Sequence, residues 1–230
     1  MDDFGKIKYI FIDVDDTLLD FSKCAEKAML SAAAEDGLEV PDDFVSVFHK
    51  INNGLWLAVE KKELTAAKLH EIRWNTIFAH LGIDHDGIGF ETLFRKYLDE
   101  TAEKVDGADG LLEYLAGKYK LYAASNASLH QQVNRLKLSG LYGYFTDLYV
   151  SEDIGHAKPS AEFFDECFTR TGKCTKNKTV MIGDSLTADI SGAADYGLKT
   201  VWFNKKNMPV PDDCKADKIV CNLSEIKKFL

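Results

Sequence analysis

The chain has 230 residues, which is enough for one large domain or for one domain with a smaller insert. Hydrophobic residues make up 46% of it, and the formal net charge is −9. Nucleic acids and anionic membranes are bound through basic faces, so we expect neither as a partner. No apolar run approaches the roughly 18 residues that a membrane helix needs. An anionic ligand would therefore have to be held by local groups.

The five cysteines are odd in number and include no C-x-x-C pair, and the first residues, MDDFGK, contain no apolar signal stretch. Both features are typical of a reduced protein outside the secretory route. We therefore expect a cytoplasmic protein. Separately, we expect a monomer or a weak homodimer.

Short apolar runs alternate with stretches of helical periodicity over most of the chain. The runs at 7–12, 120–124, 148–151, 179–182 and 200–203 are predicted to be strands. Residues at helical spacing between them are Leu111, Leu112 and Leu115, then Leu129, Val133 and Leu136, and then Phe163, Phe164 and Phe168. This alternation predicts an α/β fold with a Rossmann-like parallel sheet, whose ligands bind at the carboxyl ends of the strands.

One span, from about Phe21 to Glu103, shows helical periodicity alone. Its spaced apolar residues are Phe21, Ala25, Met29 and Ala32, then Phe44, Val47, Phe48 and Ile51, then Leu69, Ile72 and Leu81, and then Phe90, Leu93, Phe94 and Tyr97. We predict an inserted α-helical cap at 21–103 and a catalytic core formed by 1–20 and 104–230. A helical unit that follows the first strand would serve as a lid.

The first polar motif, D-V-D-D-T, directly follows the first predicted strand. An isolated aspartate there is usually a helix cap or a turn residue. Asp13 and Asp15, however, are two residues apart at the end of a buried strand, so both carboxylates would project into the crevice where parallel α/β folds bind ligands. This context favours a chemical role.

A second acidic motif, M-I-G-D-S-L-T-A-D, follows another predicted strand. If Asp184 approaches Asp13, two carboxylates about 5 Å apart repel each other by about 3 kcal/mol at an effective dielectric near 20. A cation is then required, and an all-oxygen ligand set suits Mg²⁺. Asp189 either joins the metal ligands or begins or stabilises a surface helix.

Two further motifs follow predicted strands in the part of the chain between the helical insert and the second acidic motif. Ser125 and Asn126 offer hydroxyl, amide and backbone N–H groups that suit phosphate oxygens, although Ser-Asn is also a common turn or cap. Lys158 precedes a proline, which favours an extended backbone and could aim its ammonium group at a fixed point. A lone lysine is more often a solvated surface residue, but this one follows a strand whose end joins three other polar strand ends, and we therefore favour a functional lysine.

These motifs, in this order and at this spacing, resemble the four signature motifs of the haloacid-dehalogenase-like (HAD) hydrolase superfamily, with a helical cap inserted after the first. The resemblance covers nearly the whole chain. It implies a Mg²⁺-dependent phosphomonoester hydrolase that works through an aspartyl-phosphate intermediate. Asp13 would be the nucleophile, and Asp15 the general acid and then the general base. The Asp13 carboxylate, the Asp15 backbone carbonyl and Asp184 would hold Mg²⁺.

The same resemblance implies that Ser125, the backbone at Asn126 and Lys158 bind the phosphoryl oxygens, while Asp189 orients metal-bound waters. If the Lys158 stem lies on the surface, its replacement by alanine would damage catalysis more than folding.

Several alternatives stay open beside this one. HAD members that displace halide lack an acid equivalent to Asp15, so dehalogenation is disfavoured, but a sugar-phosphate phosphatase or phosphomutase would share the acid pair and the cap. Phosphonate hydrolysis in the superfamily uses a cap lysine, whereas Lys50, Lys61 and Lys62 lie in polar surroundings. The non-enzyme alternatives are a phospho-accepting signalling receiver, which would be shorter and have no cap, and an inactive binding protein, which would usually have lost a motif.

A finer resemblance, to YjjG-like pyrimidine 5′-nucleotidases, is carried by D-D-T-L-L-D-F, K-I-N-N-G-L-W, G-D-S-L-T-A-D-I and W-F-N. It implies a nucleoside monophosphate as the small-molecule substrate, a pyrimidine one in particular. This chain has Trp74 where the branch often has phenylalanine after an arginine.

The stretch I-N-N-G-L-W in the predicted cap offers the flat apolar surface and the amide groups that a nucleobase needs. Asn53 and Trp56 are three residues apart and share one face of a helix, with Asn52 beside them. We predict that Asn53 and Trp56 bind the substrate. Alternatively, Trp56 packs within the cap beside Ile51 and Leu55.

Overall fold

The computed structural model describes residues 3–230. The chain divides into two compact units. One unit, called the core unit below, contains the segment that ends at Asp20 together with Glu103–Leu230, and the other, called the helical unit, is Phe21–Ala102.

The core unit is built on one six-stranded parallel sheet with the strand order β3-β2-β1-β4-β5-β6. The strands are β1 (Tyr9–Ile12), β2 (Lys120–Ser125), β3 (Asp147–Val150), β4 (Thr179–Gly183), β5 (Lys199–Phe203) and β6 (Lys218–Val220). The strand β1 therefore lies between β2 and β4, and the connections run outward from it in both directions. A doubly wound sheet with this order binds ligands in the crevice at the carboxyl ends of its central strands.

Helices cover both faces of the sheet because the strands bury residues on both. The helices of the core unit are α5 (Ala108–Ala116), α6 (Leu129–Leu138), α7 (Ser151–Ile154), α8 (Ala161–Thr171) and α9 (Gly192–Tyr196). In β1, Ile10 and Ile12 join one hydrophobic core with the leucines of α5, while Phe11 joins a second core with Phe163 and Phe164 of α8. Successive strand residues point to opposite faces, so one strand supplies both cores. The predicted α/β fold with a parallel sheet is confirmed.

The structure differs from the predicted elements in one missed strand and in several strand bounds; β1, for example, begins at Tyr9, whereas the sequence predicts a strand from residue 7. The sequence does not predict the sixth strand, β6, because its apolar run, Ile219 to Cys221, is only three residues long. Ser151 was predicted to end a strand, but it begins α7, and β3 ends at Val150.

The helical unit contains α1 (Phe21–Glu35), α2 (Phe44–Glu60), α3 (Ala66–Leu81) and α4 (Gly87–Asp99). Local signals set several of the ends. The Thr65 hydroxyl accepts from the backbone N–H of Lys68 at the start of α3, and Gly82, with φ of 68°, ends that helix. The Asp86 carboxylate accepts from the backbone N–H of Ile88 at the start of α4. Four helices thus occupy the segment in which the sequence shows helical periodicity alone.

An aromatic cluster fills the interior of the helical unit. Trp74 is fully buried and lies 5.3 Å from Phe48 and 4.5 Å from Phe90 between ring centroids. Trp74 is therefore a packing residue of this unit. Among the helices of residues 3–230, none is both long and apolar enough to cross a membrane.

Candidate active site

Three neighbouring strands bring the predicted site residues of the core unit together. Asp13 directly follows β1, Ser125 ends β2 and Asp184 directly follows β4. The backbone N–H of Asp13 donates to the carbonyl oxygen of Ile182 at 2.9 Å, which extends the ladder between β1 and β4 up to the acid. The carboxyl ends of adjacent parallel strands thus place all three side chains at one edge of the sheet.

Three carboxylates converge at this edge. Asp13, Asp184 and Asp189 each offer an oxygen, and these three oxygens all lie within 4.8 Å of one another. Burial is the main cause that raises the pKa of Asp13 to about 8, with Lys158 opposing the rise and Asp189 adding to it. The pKa of Asp184 is also well above its ordinary value, first through burial and then through Asp13 and Asp189.

Such crowding disfavours three negative charges unless a cation lies among them. The donor set is made of hard carboxylate oxygens, the ligands that Mg²⁺ takes in proteins. The residues present at this edge therefore fit a magnesium ion.

Asp184 is held in place by two contacts from the core unit. The indole N–H of the fully buried Trp202, on β5, donates to the Asp184 backbone carbonyl at 2.9 Å. The Thr17 hydroxyl donates to Asp184 Oδ1 at 3.4 Å. The final threonine of D-V-D-D-T thus connects the first motif to the last.

Asp189 lies in a π-helical segment, Leu186–Ser191, and its side chain is buried. Its Oδ2 accepts from the backbone N–H of Ser185 at 3.1 Å, while its other oxygen faces Lys158. A Cβ on Gly183 would lie 2.2 Å from the Asp189 carboxylate, so the glycine of G-D-S permits this approach. Asp189 is therefore not a surface residue, although its contact with the N–H of Ser185 does stabilise the start of this helix.

Lys158 lies between α7 and α8 and is buried against the acids. Its Nζ donates to Asp13 Oδ1 at 2.8 Å, to Asp189 Oδ1 at 2.6 Å and to the carbonyl oxygen of Ala124 at 2.6 Å. Burial alone would lower the pKa of Lys158, but the two carboxylates raise it above its ordinary value. The alternative of a solvated surface lysine is therefore wrong, and the ammonium group remains charged between two acids.

The side chain of Asn126 binds the backbone of Lys158 at two points. Its Nδ2 donates to the Lys158 carbonyl oxygen at 2.9 Å, and its Oδ1 accepts from the Lys158 N–H at 2.8 Å. The amide of Asn126 is thus engaged in positioning the lysine. Its predicted contribution to phosphate binding, through the backbone, uses a different group.

Asp15 is held by two residues that the sequence motifs did not reveal. Arg135 Nη1 donates to Asp15 Oδ1 at 2.6 Å, and Gln132 Nε2 donates to Asp15 Oδ2 at 2.5 Å. The same Gln132 nitrogen donates to the hydroxyl of Ser125 at 2.9 Å. Gln132 and Arg135 are three residues apart on α6 and fully buried. The sequence does contain a signal for them, because both polar residues share the buried face of α6 with Leu136.

In the helical unit, the three polar or aromatic residues singled out in α2 differ in exposure. Asn53 is exposed and Trp56 is half-buried, with its ring centroid 6.2 Å from that of His70. Asn52 is buried, and its Oδ1 accepts from Arg73 Nη1 at 3.0 Å. Arg73 also donates to both carboxylate oxygens of Glu91. Asn52 is thus engaged in a buried polar network, whereas Asn53 and Trp56 retain accessible surface.

Comparison with known proteins now defines the class of this chain. A family model for haloacid dehalogenase-like hydrolases matches residues 7–197, a span that contains the whole site from Asp13 to Asp189. The protein is a hydrolase, which excludes the two non-enzyme alternatives. It belongs to the haloacid dehalogenase-like hydrolases, and the resemblance read from its four motifs is confirmed.

Three relatives are similar over nearly the whole chain. YfnB of Bacillus subtilis is 35% identical over 207 residues, which cover 89% of this chain and 88% of YfnB. The pyrimidine 5′-nucleotidase PynA of Streptococcus pneumoniae is 34% identical, covering 87% of this chain and 85% of PynA. The pyrimidine 5′-nucleotidase YjjG of Escherichia coli is 27% identical, covering 98% of each chain. The crystal structure of YfnB bound to magnesium superposes with a TM-score of 0.92 and covers 97% of this chain and 98% of that one.

Proposed function

We propose that this protein is a Mg²⁺-dependent phosphomonoester hydrolase that forms an aspartyl-phosphate on Asp13. The observation that carries the proposal is the convergence of three carboxylates and a buried ammonium group at the end of β1, with Asp15 two residues further on. A nucleophile, a proton carrier, a cation site and a fixed positive charge are the parts that phosphoryl transfer needs.

The proposed roles follow from where each side chain lies. Asp13 attacks phosphorus, and the ammonium group of Lys158, 2.8 Å from Asp13 Oδ1, favours the ionised nucleophile and stabilises charge on the phosphoryl oxygens. Asp15 gives a proton to the leaving alkoxide and then removes one from water. Ser125 and the backbone N–H of Asn126 bind phosphoryl oxygens.

Asp13, Asp184 and the backbone carbonyl of Asp15 would hold Mg²⁺, with Asp189 in the same cluster. When bound, the ion would offset the charge between the acids and the phosphoryl group. The crystal structure of the similar protein YfnB is bound to magnesium, which supports Mg²⁺ as the ion.

We expect strict dependence on a divalent metal, because three acids share this edge in a protein of net charge −9. Phosphate release from a panel of phosphate esters should require added Mg²⁺ after exhaustive chelation. Ca²⁺ should inhibit, since it prefers looser coordination by 6 to 8 oxygens. Full activity in the chelated protein would contradict the proposal.

We further propose that the substrate is a nucleoside 5′-monophosphate, a pyrimidine one more than a purine one. The names of PynA and YjjG, two relatives that match most of the chain, support this class. The same ester panel tests it, because a preference for sugar phosphates over nucleotides would overturn the substrate assignment while leaving the phosphatase chemistry intact.

The five free thiols suit a reducing compartment, and we place the activity in the cytoplasm.

The helical unit is proposed to select the base through Asn53 and Trp56. Trp56→Ala should lower kcat/KM for the nucleotide at least about tenfold, since stacking of one base on an aromatic ring contributes about 1–3 kcal/mol. Asn53→Ala should lower it in the same direction. Both variants should leave kcat/KM for p-nitrophenyl phosphate unchanged, because that ester has no base.

Leu57→Ala is the matched control for these variants, because Leu57 is an exposed apolar residue on the same helix. It should change neither rate. Equal losses on both esters in the Trp56 variant would mean that Trp56 packs the helical unit, the alternative raised from the sequence.

A further inference from the structure

The contacts around Asp15 go beyond what the proposed mechanism uses. Its two carboxylate oxygens are bound by two different residues of α6, Arg135 at 2.6 Å and Gln132 at 2.5 Å. Both donors are fully buried, whereas the Asp15 side chain is 28% exposed. The carboxylate is therefore fixed from its buried side and remains accessible from the other.

The amide of Gln132 has only one orientation that satisfies its neighbours. Its Nε2 carries two hydrogens, and one lies against the Asp15 carboxylate and the other against the Ser125 hydroxyl. The opposite orientation would set the amide oxygen against a carboxylate oxygen. Because Nε2 can only donate, Ser125 Oγ accepts from it, and the hydroxyl hydrogen of Ser125 remains available to another acceptor.

We infer that Gln132 and Arg135 are positioning residues, which hold the Asp15 carboxylate in place for proton transfer. This inference rests on the proposed function, in which Asp15 is the acid and base. Two donors on two oxygens fix both the position and the rotation of a carboxylate, which a single contact does not. Misplacement of a reacting group by about 1 Å costs on the order of 10²-fold in rate.

The alternative is that the ion pair between Arg135 and Asp15 is only structural and neutralises the buried guanidinium group. A residue of that kind would change stability, and its loss would affect every substrate equally. Positioning of a proton donor has a different signature, because it matters most when the leaving group needs a proton. A nucleoside alkoxide needs one, whereas p-nitrophenolate leaves without it.

The test compares Gln132→Leu and Arg135→Met with the wild-type enzyme on a nucleoside 5′-monophosphate and on p-nitrophenyl phosphate, both with Mg²⁺. We expect kcat/KM for the nucleotide to fall on the order of 10²-fold, with little change for p-nitrophenyl phosphate, because kcat/KM covers only the steps up to leaving-group release. The kcat values should fall for both esters, since both reactions share the later attack of water. A burst of p-nitrophenol followed by slow turnover should mark that step.

Two controls separate positioning from folding. Gln131→Leu makes the same chemical change one residue earlier on α6 and should leave both rates unchanged. Arg135→Lys keeps a positive charge and should recover part of the nucleotide rate, whereas Gln132→Leu introduces no unpaired charged group into the core and so tests the inference if the methionine variant does not fold.

Equal losses of kcat/KM on both esters, or no loss on either, would overturn the inference while the active wild-type enzyme upheld the proposed function. A wild-type enzyme inactive on both esters would overturn the proposed function and the inference with it.

Discussion

Asp13→Asn should abolish turnover, with a loss of at least about 10⁴-fold in kcat for any phosphate ester, because the covalent route begins at this carboxylate. An amide carries no negative charge and is a poor nucleophile. The replacement is nearly isosteric, so the contact with the Lys158 ammonium can be kept through the amide oxygen. Phosphate release and labelling of the protein by phosphate, measured together, check this result.

Asp15→Asn should fail at a different step from Asp13→Asn, so the two variants are compared in the same experiment. Asp15 is proposed to move protons and not to bond to phosphorus, so its asparagine variant should still be labelled by p-nitrophenyl phosphate and should then stall. Its turnover should fall about 10²- to 10⁴-fold, the range for loss of general acid–base catalysis. Robust turnover by the Asp13→Asn protein, or labelling of it, would refute the assignment of the nucleophile.

Lys158→Met should destabilise the core unit by about 3–5 kcal/mol in chelator, as well as inactivating the enzyme. The lysine is buried between Asp13 and Asp189, and its loss leaves two buried carboxylates without their shared cation. This corrects the expectation from the sequence, in which a surface stem made the change mainly catalytic. Chemical denaturation with and without Mg²⁺ measures the effect, and the metal should offset part of the loss.

A double variant separates the two consequences. Adding Asp189→Asn to Lys158→Met removes one of the uncompensated charges, so it should recover stability without restoring activity. Lys199→Met is the matched control, since it breaks a partly exposed pair with Asp217 and should cost at most about 1 kcal/mol. A Lys158→Met protein of wild-type stability would show that the buried pairs contribute nothing to folding.

Local patterns in the sequence were sufficient for most of the fold and for the location of the site. The apolar run Tyr9–Ile12 is a strand because each of its faces meets a hydrophobic core, and that requirement is visible in composition alone. Asp13 and Asp184 each follow a strand, and parallel strands end at the same edge, so their proximity followed once the strands were recognised. The four-residue and five-residue strands gave this signal, whereas the three-residue β6 did not.

The sequence by itself determined the alternation of strands and helices, the helical insert and the acids that end two strands, because these depend on neighbours a few residues away. The tertiary structure alone decided which side chains neutralise and orient those acids. Lys158 reaches Asp13 across 145 positions of the chain and Arg135 reaches Asp15 across 120, so both contacts exist only after the sheet has formed. For the same reason, the burial of Lys158 and the inward turn of Asp189 could not be read from their own motifs, since burial is set by what packs against a residue and not by the residues beside it.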